Sequence, residues 1–440
     1  MSPKICLLVS CLATLTLSSF AQVKFSFNGQ YMNRAEYRHG YSTLAEPDQD
    51  AAFFISQRAR ISAGLRMDKA EMFFSIQDVR TWGSTANATI DNAGLLSVHE
   101  AWVALQLNKK LNLKMGRQEI AYDEDRIFGN LDWTMQARRH DAALLKFYDS
   151  TSSTTLHFGL AFNQDKEQLE GTIYTVPNNY KTFQYLYVHR AFGKITTSFL
   201  FLNNGVQYAT PNTNPIDYHT VFSQTFGPRL SYKEADRKLS WNLAFYYQTG
   251  RNNQNQLLSA YDLLGEVAYQ LTKDISLTGG LEILSGTDEV GSDSDPSKSF
   301  NPFYGTNHRF NGYMDYFYFG NHTNSVGLQN VYIKGFVNRP KIFYGIALHY
   351  FAAAGNVRDD SSVSVVTVAP SSFGTELDLF ANVRISNGIS IQGGYSQMFA
   401  TKSLEYIKNV VDGSNQTNNW AYLMVMVRPG IAWPRTGLKM

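Results

Sequence analysis

The sequence predicts an all-β fold, a single transmembrane antiparallel β-barrel of about eighteen strands with short turns at one end and long loops at the other. Three observations predict it. Strand-like segments keep apolar and polar residues on opposite parities for unusually long runs. Short and long connections between those segments take turns along the chain. Charged residues make up only 17% of the 440, while 26 Tyr and 29 Phe are present, which suits an exterior that meets something other than water.

Residues 1–21 read as a secretory leader. Lys4 supplies its positive start, ICLLVSCLATLTL its apolar stretch, and Ser19-Phe20-Ala21 a small-residue cleavage site. The mature chain, 22–440, is expected to begin at Gln22 and to form one barrel domain. Cys6 and Cys11 both lie in the leader, so the mature chain has no thiol, disulfide or thiolate metal site. Leu8-Val9-Ser10-Cys11 resembles a lipidation box, although the apolar stretch before Cys11 is short for one. No later run reaches the roughly 18 apolar residues of a membrane-spanning helix. An exported, aromatic-rich chain without such a helix enters a bilayer as a closed barrel, which satisfies its backbone between strands.

The mature chain opens with VKFSFNGQYMNRAEYRHG. Phe25, Phe27, Tyr31 and Tyr37 share one parity; Lys24, Ser26, Asn28, Gln30, Arg34, Glu36 and Arg38 share the other. The alternation lasts about sixteen residues, where ordinary strands stop after about five or six. ISQRARISAGLRM sets Ile61 and Leu65 against Arg58, Arg60 and Arg66. WNLAFYYQTG sets Trp241, Leu243, Phe245 and Tyr247 against Asn242, Tyr246 and Gln248, and ELDLFANVRIS sets Leu377, Leu379 and Ile385 against Glu376, Asp378 and Arg384. Similar runs lie near 97–107, 154–163, 259–270, 274–285, 342–351, 389–398 and 420–428. The aromatic parity is expected to face lipid. The charged parity is expected to face a wet lumen, where water makes arginines cheap.

Short links occur at Asp68-Lys69, Asn108-Lys109-Lys110, Gly193-Lys194, Leu271-Thr272-Lys273, Asn338-Arg339-Pro340 and Ser386-Asn387-Gly388. The Asn-Gly pair in the last is a strong hairpin signal, because both positions tolerate positive φ. Between them lie longer polar segments, roughly 39–51, 81–96, 119–138, 164–180, 205–219, 286–325, 352–373 and 400–418. Outer-membrane barrels show this asymmetry, with tight periplasmic turns and long external loops.

The stretch MGRQEIAYDEDRIFGNLDWTMQARRHD abandons strand alternation and gathers Arg117, Arg126, Arg138 and Arg139 with Asp123, Glu124, Asp125, Asp132 and Asp141. Two readings stand. Folded into the lumen, it makes a charge-selecting constriction; left outside, it carries ordinary surface ion pairs. The same stretch resembles the signature of the alginate export family of outer-membrane porins, G-R-Q, then an acidic residue or two shortly before R-x-x-G-x-x-D-W-x-x-Q-x-R-x-x-D. Gly116, Arg117, Gln118, Asp125, Arg126, Gly129, Asp132, Trp133, Gln136, Arg138 and Asp141 match it, and further likeness lies in FNPFYGTNHRFNGYMDYFYFGN, FGTELDL, GGYSQMF and NNWAYLMVMV. The resemblance implies a porin of about eighteen strands with a lumen rich in arginine and lysine, an outer-membrane address, and, in the family's secretion members, outward passage of a polyuronate. It also implies periplasmic export partners. Two departures concern the substrate: every periplasmic turn here looks short, and the chain continues as RPGIAWPRTGLKM past its last strand pattern.

The expected pore-lining and solute-binding residues are Arg34, Arg58, Arg60, Lys114 and Arg384 on strands, with Arg117, Arg126, Asp132, Arg138, Arg139 and Asp141 in and around the loop. Guanidinium forks hold carboxylates in two-point contacts, so anionic solutes are the expected cargo, small acids or acidic polysaccharide. No nucleic acid is expected at a formal charge of +2. No catalytic residue, metal or cofactor is expected. DEVGSDSDP lacks the spacing of a dedicated calcium loop, and neither H-E-x-x-H nor G-x-S-x-G occurs. The alternatives are an outer-membrane barrel enzyme, for which His140 beside Asp141 offers pieces, and a soluble secreted polysaccharide-binding protein.

Overall fold

The computed structural model describes residues 23–429, except 89–93, 212, 214–215, 235–237, 292–295, 318–324 and 362–365. The leader, the tail beyond residue 429 and the middle of the acidic 288–296 segment therefore lie outside the described residues.

The long alternating runs are strands. They are β1 Lys24–His39, β2 Ala52–Arg66, β3 Ala70–Thr81, β4 Leu96–Gln106, β5 Leu111–Gln118, β6 His140–Asp149, β7 Thr154–Phe162, β8 Thr182–Phe192 and β9 Ile195–Ala209. There follow β10 Tyr218–Lys233, β11 Leu239–Arg251, β12 Leu257–Gln270, β13 Ile275–Leu284, β14 Leu328–Asn338 and β15 Ile342–Ala352. Two-residue strands β16 (Arg358–Asp359) and β17 (Thr367–Val368) make a separate loop hairpin, and β18 Ser372–Ser386, β19 Ile389–Ala400 and β20 Asn418–Val427 complete the wall. Eighteen strands form one antiparallel sheet, and β1 pairs with both β2 and β20, which closes it. A closed sheet leaves no edge whose backbone groups must be desolvated in lipid.

The connections alternate as expected. The short turn 150–153 and the short link between β10 and β11 join those foreseen, and the link 252–256 is short although it lies at the long-loop end. The expected loop 205–219 shrinks to 210–217 because β9 and β10 run further. Gly388 shows why Asn-Gly marked its turn: its φ is +78°, and a Cβ there would sit 2.2 Å from the Arg428 carbonyl oxygen.

The two parities separate as read. Phe25, Phe27, Leu65, Phe74, Leu160, Phe245, Leu263 and Leu379 are exposed, while Arg58, Gln77, Glu376 and Asp378 are buried. Exposed rings around buried charges invert the usual soluble arrangement and match a wall in lipid.

The lumen itself departs from expectation. It is not simply wet: the loop 119–139 and the described parts of the loop 285–327 fold inward and build an apolar core inside the barrel. Phe128, Phe183, Tyr185, Phe300, Tyr316 and Phe373 all belong to it. The loops meet each other through a parallel bridge between Phe128 and Tyr304 and through the Gly129 amide, which donates to the Tyr304 carbonyl at 2.8 Å. Water therefore does not solvate Arg34, Arg58 and Arg60, which are buried. Hydrogen bonds from Arg34 and Arg58 to the loop, and from Arg60 to Gln77, stand in for it.

Candidate functional site

Alternation places Arg34 on β1 and Arg58 and Arg60 on β2 on the inner face, where the inward loop offers bare backbone carbonyls. Arg34 donates to the Trp133 carbonyl at 2.8 Å. Arg58 donates to the carbonyls of Thr134 and Met135 at 3.1 and 3.2 Å and to the Asp132 carboxylate at 2.9 Å. Arg60 lies 3.5 Å from the same carboxylate, and Gln77 donates to the Gln136 carbonyl at 2.9 Å. The wall thus grips residues 132–136 one carbonyl after another. Irregular backbone at membrane depth needs such partners, since each unsatisfied group costs several kcal/mol there.

Arg34 and Arg58 thus clamp the loop, a role the sequence did not suggest, and Arg34 also borders the cavity at the long-loop end. Arg34 also donates to Glu36 at 2.8 Å, and its guanidinium lies 4.3 Å from the Trp133 ring centroid. Asp132 lies inside the lumen as the loop's own counterion to the wall.

On other strands of the inner wall the charge reverses. Asp262 on β12, Glu282 on β13, and Glu376 and Asp378 on β18 are buried under loop residues. Arg126 reaches this wall from the inward loop and pairs with Glu282. Burial alone would loosen the proton on Arg126, but Glu282 and then Asp262 override it and raise its pKa. Arg126 is therefore a buried structural cation and not a solute-facing one, contrary to expectation. Glu376 accepts the Met314 amide at 2.9 Å, and Asp378 accepts the Ser396 hydroxyl at 2.5 Å.

Space remains on both sides of the clamped segment. Toward the long-loop end a cavity of about 610 Å³ is lined by Arg34, Arg38, Arg80, Tyr41, Phe54 and Trp133 among others. Arg38 is one-third exposed there, bonded to Glu36 at 2.8 Å and 4.1 Å from the Tyr41 ring centroid. Toward the short turns a recess of about 290 Å³ is lined by Gln30, Arg60, Asp132 and Arg428. Arg384 stands at the short-turn rim in a neighbouring recess with Arg339, Lys341 and Arg428. Lys114 faces inward with its ammonium 4.0 Å from the Trp102 ring centroid.

Arg117, Asp141 and Arg139 do not join this lumen. Phe27, Ala63, Phe74, Ala101, Arg117 and Asp141 are successive cross-strand partners, so they share one face. Phe27 and Phe74 are exposed, so that face is the outer one. Period-2 alternation did predict this, because Leu113 and Met115 precede Arg117 on its parity; the charge in the motif obscured it. Arg117 bonds Asp141 at 2.9 and 2.7 Å. Arg138 turns inward and donates to the carbonyls of Tyr304 and Gly305. His140, buried and inward, bonds the Tyr180 hydroxyl at 3.1 Å, so it and outward Asp141 point to opposite faces and form no dyad.

Sequence reasoning missed the second inward loop. Its signal was available: NPFYGTNHRFNGYMDYFYFG is too aromatic to sit in water. His308 of this loop stacks on Trp133, with centroids 4.4 Å apart.

The fold has solved counterparts. The chain superposes on Acinetobacter baumannii OccAB4 with a TM-score of 0.59 at 11% identity, covering 93% of this chain and 99% of that one. The Pseudomonas aeruginosa protein OccK9 (OpdG) gives 0.61 at 13%, and a BenF-like porin from Pseudomonas fluorescens Pf-5 gives 0.58 at 12%, both with the same 93% and 99% coverage. No curated protein matches the chain in sequence. The model of the family described as alginate export matches residues 23–332. With that match and a closed eighteen-stranded barrel around two inward loops, the chain belongs to the alginate export family and is a channel of the Gram-negative outer membrane.

Proposed function

We propose that this channel passes anionic solutes, with acidic sugars and short uronate chains as the class it suits best. The observation that carries the reading is the long-loop cavity, where Arg38 and Arg80 stand beside the rings of Tyr41, Phe54 and Trp133. Ring faces stack on the apolar face of a sugar, and guanidinium forks hold its carboxylate. Glu36 next to Arg38 keeps the grip weak enough for release. At the other mouth Arg384, Lys341 and Arg428 would offer the next cationic contacts. By the usual orientation of such barrels, this short-turn mouth is periplasmic.

The test is a reversal potential across a planar bilayer in a salt gradient, followed by block with glucuronate and with glucose. Anion preference, with block by glucuronate but not by glucose, is expected. Absence of conductance, or preference for cations, would overturn the reading.

A further inference from the structure

The arginines that left the lumen define a second feature. A cavity of about 320 Å³ opens on the barrel wall where β5 and β6 end, between the loops 119–139 and 163–181. Arg117, Arg138, Arg139, Asp141, Asn163 and Tyr180 line it. Below it the outer face is apolar, with Leu145, Leu160 and Phe162 exposed. The cavity thus lies where the lipid-facing band gives way to polar residues, at the long-loop end.

Its charges do not balance internally. Asp141 is committed to Arg117 in a two-point contact. Arg139 has no carboxylate within 4.0 Å among the described residues, and it makes a 3.5 Å contact to the Gln136 carbonyl. Burial and then repulsion from Arg117 lower its pKa below the ordinary arginine value. Two neighbouring guanidiniums sharing one carboxylate leave a place for an anion at the edge of the hydrocarbon. An ion arriving there from the bilayer carries its charge at the headgroup level and its chains against Leu145, Leu160 and Phe162.

We propose that this cavity binds the phosphate headgroup of a phosphorylated glycolipid in the outer leaflet. Arg139 is the principal ligand, Arg117 held by Asp141 is the second, and the Asn163 side chain completes the rim. Phosphate takes guanidinium in two-point geometry, and its acyl chains supply the apolar half of the contact. The site lies at the long-loop rim, with Arg117 and Asp141 on its outer side and Arg138 and Tyr180 on its inner side, and serves to anchor the β5–β6 rim in the membrane. It is independent of what the lumen carries.

Native mass spectrometry of the purified barrel in detergent, with bisphosphorylated lipid A added, tests this. One retained lipid A is expected in the wild type. Arg139→Gln should lower retention by about tenfold, the scale of losing one charge-assisted contact. Arg139→Lys should restore part of it, and a heat-modifiable band on a denaturing gel shows that each variant is folded. Dephosphorylated lipid A should not be retained, and inorganic phosphate should not compete at millimolar concentration. Equal retention of both lipids, an unaffected Arg139→Gln variant, or competition by inorganic phosphate would each overturn the assignment. Altered ion selectivity in Arg139→Gln would overturn it too, by returning this residue to the pore.

Discussion

Two groups of strands in the inner wall present opposite charges to the same pair of inward loops. On β1 and β2 the wall offers guanidiniums, and they take up loop carbonyls from Trp133 to Met135. On β12, β13 and β18 the wall offers carboxylates, and they take up Arg126 and the Met314 amide. The basic side leaves cavities above and below its clamp, with Arg38 and Arg428 partly open to them. Asp262, Glu282, Glu376 and Asp378 on the acidic side are almost wholly covered. The difference teaches that charge on the inner parity is of two kinds. Some of it stays open to the cavities, and some of it replaces the water that the loops displace.

The sharpest way to break the comparison is Arg126→Met. It strands Glu282 and Asp262 without their cation, and removing one partner of a buried pair costs about 3–5 kcal/mol. The denaturant midpoint of the barrel refolded into vesicles should fall accordingly. A variant as stable as the wild type would show that water reaches this wall after all.

The next largest effect contrasts the faces of one strand. Leu379→Arg puts a charge into hydrocarbon and should cost about 2–4 kcal/mol, whereas Asn382→Arg, inward and beside Arg384, should refold nearly as the wild type does. Yields of the heat-modifiable folded form measure both. Asp378→Arg would not serve as the mild control, because Asp378 is buried against Ser396.

A third test separates clamp from contact on the basic side. Arg58→Ala removes donors to Asp132, Thr134 and Met135 and should release the loop, giving larger and noisier single-channel currents. Arg38→Ser should keep the current and lower anion preference. Matching behaviour of the two variants would erase the distinction.

The smallest expected effect is a pH dependence in the helix α1 (Lys402–Lys408) of the loop 401–417, which packs over the covered side. Burial lowers the Lys408 pKa to about 8 while its ammonium donates to the Tyr316 carbonyl. The unfolded chain holds this proton up to about 10.4. Between these values the unfolded state binds more protons, so stability should rise with pH from about 8 to 10. Hydrogen exchange of 402–408 at pH 7.5 and 9.5 should show it, and Lys408→Met should flatten the response.

Much of this was legible in the residues. Phe25, Phe27 and Leu65 against Arg58 and Arg60 fixed which face meets lipid, since a one-residue shift would put arginine in hydrocarbon. Asn387-Gly388 fixed its turn. The turn 150–153 was harder, because DSTSS carries no glycine or proline. Arg117 and Asp141 are charged residues on the lipid-facing parity of Met115, at the strand ends where that parity passes out of hydrocarbon, so charge alone does not tell their facing.

The sequence by itself determined the wall: strand number, facing and the alternation of short and long connections follow from period-2 patterning and turn chemistry, which are local. It also determined that charges line the inside. Tertiary structure alone decided what each charge does. Whether Arg58 meets a solute or a carbonyl depends on where residues 132–136 come to rest, and Glu282 depends likewise on Arg126, 156 positions away in the chain. Such pairings are set by packing across the lumen, where an inward loop must find a partner for every polar group it buries.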